Sequence, residues 1–76
     1  MEIPSIKYEL RRELRRYNPR IEDDGDQIYL YIYGVDEMSR RHFNNINSGI
    51  ESVCNIYGLD YEIENGDEWC WTIWEE

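Results

Sequence analysis

Leu59-Asp60-Tyr61-Glu62-Ile63-Glu64-Asn65-Gly66-Asp67-Glu68-Trp69-Cys70-Trp71-Thr72-Ile73-Trp74 is the stretch on which the fold turns. Leu59, Tyr61 and Ile63 alternate with Asp60, Glu62 and Glu64. Beyond Asn65-Gly66, the residues Trp69, Trp71 and Ile73 alternate with Cys70, Thr72 and Trp74. Period-two alternation on both sides of a turn dipeptide predicts a β-hairpin. A two-residue Asn-Gly turn is the default connection, but it pairs Glu64 with Asp67 and sets Glu62 beside Trp69. A three-residue loop, with Gly66 left-handed in a bulge, instead pairs Tyr61 with Trp69 and Leu59 with Trp71. The second register is preferred, because a one-residue slip turns every side chain to the other face.

Working outward, Asp36 to Tyr57 reads as a long helix. Met38, His42, Phe43, Ile46, Gly49, Ile50, Val53, Cys54, Ile56 and Tyr57 fall within an arc of about 160° at helical periodicity. Asp36 is the N-cap candidate and Gly58 the residue that ends the helix. Before it, Ile28, Leu30 and Ile32 alternate with Tyr29, Tyr31 and Tyr33, a strand by its branched and aromatic content. Further back, Ile3, Ile6, Leu10, Leu14 and Tyr17 share an arc of about 80°, which predicts an amphipathic helix over residues 4–17. Pro4 suits its first turn and Asn18-Pro19 ends it. Residues 20–27, with Glu22-Asp23-Asp24-Gly25-Asp26, read as an acidic linker.

These elements predict an α+β fold, one small domain spanning residues 1–76 in the order α-β-α-β-β. The crossover rule makes the first two strands of the β-α-β-β unit (residues 28–74) parallel across the long helix. The aromatic third strand belongs between them, which gives a three-stranded sheet of spatial order 1-3-2. Its inner face holds Ile28, Leu30, Ile32, Leu59, Tyr61, Ile63, Trp69, Trp71 and Ile73.

Composition bounds the function. The chain has 76 residues, 41% hydrophobic and 14% aromatic, with a net charge of −9. A domain of this size buries only roughly 60% of its unfolded surface, and it excludes a multidomain enzyme. No segment is apolar enough for a membrane span and no leader is visible, so a cytoplasmic protein without membrane contact is expected. Two cysteines without a C-x-x-C pair fit a reducing compartment, with neither a disulfide framework nor a zinc site. The charge is segregated. Residues 1–20 carry six bases against three acids, net +3, and residues 21–76 carry fourteen acids against two bases, net −12. The acidic part repels nucleic acid and anionic membranes and attracts basic protein surfaces.

Motifs for chemistry are sparse. His42, the single histidine, lies in the apolar arc of the long helix and has no nucleophile in a recognised pattern beside it, so a structural role is expected. Cys54 reads as a small core residue. Cys70 projects from the opposite sheet face without a basic cluster to make it a thiolate. The acidic run 22–26 resembles a calcium loop but lacks its ligand spacing and distal glutamate. Neighbouring carboxylates such as Asp60 and Glu62 lack oriented partners for acid–base work. No catalytic residue, cofactor or metal is therefore expected.

What remains is a surface. Tyr29, Tyr31, Tyr33 and Trp74, with Asp60, Glu62 and Glu64, share the outer face of the predicted sheet. Aromatic strips on small sheets stack nucleic-acid bases, but these carboxylates repel phosphates, so direct nucleic-acid binding through the sheet is disfavoured. The same set suits a basic protein surface: tyrosine and tryptophan anchor interfaces, and carboxylates meet Lys and Arg that otherwise hold phosphates. One question stays open. Either the first helix is laid on the tyrosines through Ile6, Leu10 and Leu14, in a three-layer sandwich, or it packs elsewhere and leaves the face available to a partner. The polar half of the long helix, Asn44, Asn45, Asn47, Ser48, Ser52 and Asn55, is made of weak helix formers and is a second candidate contact surface.

The function expected from these features is non-enzymatic: an inhibitor or nucleic-acid mimic that occupies the basic surface of a nucleic-acid-processing enzyme or complex. In size and composition, though not in motif, the chain resembles phage antidefence proteins, including anti-CRISPR inhibitors. It also resembles immunity proteins and antitoxins that neutralise nucleases. A phage protein of this kind acts in the cytoplasm of the bacterial host. The competing class is a regulatory nucleic-acid binder working through Lys7, Arg11, Arg12, Arg15 and Arg16. A homodimer is compatible with either class.

Overall fold

A computed structural model describes residues 1–33, 40–65 and 69–76. Its elements are helix α1 (Ile3–Glu13), strand β1 (Arg20–Asp23), strand β2 (Gln27–Ile32), helix α2 (Arg40–Tyr57), strand β3 (Leu59–Asn65) and strand β4 (Trp69–Glu75). A 3-10 turn, Arg15–Tyr17, follows α1, so the predicted helix 4–17 is one α-helix and a tighter last turn. Asn18 then takes the left-handed conformation (φ 47°), which asparagine tolerates, and Pro19 forbids further helix. At the end of α2, Gly58 has φ +68°, the conformation that terminates helices most readily at glycine. The Asp36 cap and the Gly66 bulge fall outside the described residues.

The fold is a small α+β domain with two helices and an antiparallel sheet, and two expectations about that sheet need correction. It has four strands rather than three, so the whole sheet runs β1-β2-β4-β3; the three expected strands keep their relative order 1-3-2 as β2-β4-β3, and the additional strand β1 pairs on the outer edge of β2. The extra strand lies inside the expected acidic linker 20–27. Arg20–Asp23 pairs antiparallel with β2, Ile21 opposite Leu30 and Asp23 opposite Ile28. The turn between them is Gly25-Asp26, with Gly25 at φ +94° and the Asp24 N–H donating to the Gln27 carbonyl at 3.1 Å. Only Ile21 of this strand enters the core. One apolar residue among charges carries no period-two signal, and a short, charged strand is what a sheet edge tolerates.

The second correction is the register of the β3–β4 hairpin. Asn65 lies opposite Trp69, Ile63 opposite Trp71, Tyr61 opposite Ile73 and Leu59 opposite Glu75. Tyr61 and Leu59 therefore do not face Trp69 and Trp71. The register is nevertheless even, so the same residues point inward. It pairs all of Leu59–Asn65 with all of Trp69–Glu75, whereas the expected register leaves the end of β4 without a partner on β3.

Both helices pack on the inner face. Ile6, Leu10 and Leu14 join Ile46, Ile50, Val53 and Cys54 over Ile21, Ile28, Leu30, Ile32, Leu59, Trp71 and Ile73 in one buried cluster. The helices approach closely at Gly49, where an added Cβ would stand 3.0 Å from the Leu14 side chain. Trp71 is fully buried, and its indole Nε1 donates to Asn47 Oδ1 at 2.8 Å. Asn47 thus leaves the polar helix face and satisfies a core donor. His42 is hydrogen-bonded through Nδ1 to the Tyr17 hydroxyl at 3.0 Å, with the rings edge to face. Among the described residues, no helix is long and apolar enough to cross a membrane.

Candidate protein-binding face

With both helices on one side, α1 does not cover the tyrosines. The alternation of the strands then decides what the opposite face presents, and the register arranges it in rows. Glu22, Tyr29, Thr72 and Glu62 lie side by side across β1, β2, β4 and β3. Arg20, Tyr31, Cys70 and Glu64 form the next row, and Gln27, Trp74 and Asp60 a third. Small residues, Cys70 and Thr72, thus run along β4 between the tyrosines of β2 and the glutamates of β3. The result is an open concavity of about 470 Å³ lined by Gln27, Tyr29, Tyr31, Glu62, Glu64, Cys70, Thr72 and Trp74.

Of the seven residues anticipated for partner binding, five line this concavity: Tyr29, Tyr31, Glu62, Glu64 and Trp74. Asp60 stands just outside it, opposite Trp74. Tyr33 lies beyond the end of β2, half exposed, its ring stacked on Tyr31 with centroids 6.4 Å apart. Asp60, Glu62 and Glu64 are exposed, while Tyr29, Tyr31 and Trp74 are half-buried.

Arg20 and Glu22 were not anticipated on this face, because residues 20–27 carry no strand periodicity. The usable signal is Gly25-Asp26, a two-residue turn dipeptide a short step after Ile21. Arg20 lies over the Tyr31 ring at 4.4 Å and over Tyr33 at 5.2 Å, and donates to Glu22 Oε1 at 3.1 Å. A guanidinium sandwiched between rings and a carboxylate therefore already occupies the β1 side.

The acidic turn is a scaffold for the tyrosine wall. Asp24 Oδ1 accepts the N–H groups of Asp26 and Gln27 at 2.9 and 2.8 Å, and Asp24 Oδ2 accepts the Tyr29 hydroxyl at 2.7 Å. The Tyr29 bond, then the backbone donors, hold the Asp24 carboxyl below its ordinary value of 3.8. The same bond raises the Tyr29 phenol above 10.0, and burial does so for Tyr31. Both wall residues are neutral phenols at physiological pH. Asp23 Oδ1 accepts Lys7 Nζ at 2.9 Å, which ties α1 to β1 and lowers the Asp23 pKa.

For chemistry the arrangement offers little. Burial pushes the Cys54 thiol up to about 11, so it is no nucleophile at neutral pH. Among the described residues, no three His, Cys, Asp or Glu side chains converge to hold a metal ion. On the opposite side, the basic flank of α1 is partly engaged: Lys7 holds Asp23 and Arg12 holds Glu9 at 3.1 Å. Compared with known protein families and with characterised proteins, the sequence matches no family model and no curated protein.

Proposed function

We propose that this chain is a small acidic, non-enzymatic inhibitor that occupies the basic nucleic-acid-binding surface of a host enzyme or complex. The closest functional type is the phage antidefence protein of the anti-CRISPR kind, acting in the bacterial cytoplasm. One observation carries the reading: the outer sheet face is free of both helices and sets Tyr29, Tyr31 and Trp74 beside Glu62 and Glu64. Aromatic rings supply contact area at low entropic cost, and the carboxylates supply the charges that a phosphate backbone would otherwise present. The competing reading, nucleic-acid binding through α1, is weakened by the ion pairs of Lys7 and Arg12 and by the −9 charge of the whole chain.

Capture followed by charge reversal is the test. Immobilised wild-type chain and Asp60→Lys/Glu62→Lys/Glu64→Lys are incubated with host lysate, and captured proteins are identified by mass spectrometry. The wild type retrieves a nucleic-acid-processing protein with a basic surface, and the triple variant does not. Retrieval weakens as salt rises above about 0.15 M, where screening acts over roughly 8 Å. Undiminished capture of the same protein by the triple variant contradicts the proposal.

A further inference from the structure

Resting on that reading, we infer that the concavity is a seat for the guanidinium of an arginine presented by the partner protein, and that it discriminates arginine from lysine. Three observations converge. The first is the shape of the trough. Tyr29 and Tyr31 on β2 face Glu62 and Glu64 on β3 across the small side chains of Thr72 and Cys70, with Trp74 lining the same space. The two walls stand two strand spacings apart, about 9.5 Å between backbones. A flat cationic group laid over the floor therefore meets a ring on one side and a carboxylate on the other.

The second observation is charge. Among the described residues Glu62 and Glu64 hold no ion pair or hydrogen bond, and both are exposed. The tyrosine wall is neutral, since its phenols are shifted upward rather than ionised. The chain's own Arg20 serves Tyr31 from the β1 side, and the β3 side presents the carboxylates of Glu62 and Glu64.

The third is the chain's own Arg20. It shows the binding mode at Tyr31, the ring it shares with the trough: guanidinium over the Tyr31 and Tyr33 rings, with one nitrogen on the Glu22 carboxylate. The rows offer the same groups on the far side at a wider spacing: Glu22 lies on the strand next to Tyr29, whereas Glu62 and Glu64 lie across β4 from Tyr29 and Tyr31, which leaves the width of one strand for an incoming group. A planar, delocalised guanidinium stacks on an aromatic face and still offers an in-plane fork to a carboxylate. A compact ammonium does one or the other. Tyr29 is held in position for this role by its bond to Asp24.

The experiment compares fluorescently labelled hexa-arginine and hexa-lysine peptides, equal in charge, by anisotropy titration against the wild-type chain at about 0.15 M salt. Hexa-arginine binds about tenfold more tightly, the equivalent of ~1.4 kcal/mol. Glu62→Gln/Glu64→Gln weakens both peptides. Tyr29→Leu/Trp74→Leu lowers arginine affinity toward that of lysine, with circular dichroism confirming that the variant is folded. The preference itself is read on wild-type protein and needs no variant to fold. Equal affinities for the two peptides overturn the arginine seat and leave the basic-surface reading standing. That reading fails separately, through undiminished capture of the native partner by the Lys-substituted triple variant.

Discussion

Removing the acceptor of the Trp71 indole tests the packing that holds the binding face in place. Asn47 sits on α2, half-buried, and its Oδ1 receives the indole N–H at 2.8 Å from a ring that is fully buried. Asn47→Leu leaves that donor without a partner, at a cost of about 1–3 kcal/mol. Leucine is the better helix former by roughly 0.5 kcal/mol, so the net loss is about 0.5–2.5 kcal/mol. For a domain of this size, each kcal/mol moves Tm by roughly 4–8 °C. Asn47→Asp keeps an acceptor oxygen at the same place and should stay within about 0.5 kcal/mol of wild type, since charged acceptors bond at least as strongly. Trp71→Phe combined with Asn47→Leu removes donor and acceptor together, and the double-mutant cycle isolates their coupling. Urea unfolding followed by circular dichroism reads wild type, Asn47→Leu, Asn47→Asp, Trp71→Phe and the double variant. An Asn47→Leu midpoint equal to wild type would refute the reasoning, because the indole would then be satisfied by water.

Three further outcomes follow from single contacts. Gly58→Ala places a Cβ at φ +68° and should destabilise by about 1 kcal/mol in chemical denaturation; no change would show that α2 ends without the left-handed residue. The Asp24 carboxyl is depressed below 3.8 in the folded state, so its contribution is present above that pH and is lost as pH falls through the depressed value. Acid titration of stability should therefore show wild type ahead of Asp24→Asn at neutral pH and the gap closing below about pH 4; a pH-independent gap contradicts the Tyr29 anchor. His42→Asn breaks the contact with Tyr17 and should lower stability by about 1 kcal/mol while leaving partner affinity unchanged; loss of binding in a fully folded variant contradicts the structural role.

Much of this fold is legible in the sequence. Alternation in residues 28–33 and 59–74 sorted the inner from the outer side chains, and helical periodicity identified both helices. Parity is a strong signal, since the wrong face would bury Glu62 and Glu64. The choice among even registers is a weak one: Tyr61 opposite Trp69 and Tyr61 opposite Ile73 are both apolar pairs, and only the full count of paired residues separates them. The β1 strand escaped notice because Ile21 is its single core residue. With it went Arg20 and Glu22, the pair that shows how this face holds a guanidinium. Asn47 shares the spacing of the polar helix face, and nothing in that spacing says that a buried tryptophan requires it. Whether α1 covered the tyrosines was a question of tertiary placement. It is answered by Leu14 against Gly49 and by Lys7 on Asp23.

The central claim is that the outer face competes with nucleic acid for a basic protein site. The most direct measurement displaces labelled nucleic acid from the purified partner with increasing amounts of this chain, at several salt concentrations. Full displacement by wild type, weakening as salt rises, with none by Asp60→Lys/Glu62→Lys/Glu64→Lys, is the result predicted. A ternary complex, in which nucleic acid and this chain bind the partner together with unchanged affinities, would contradict it.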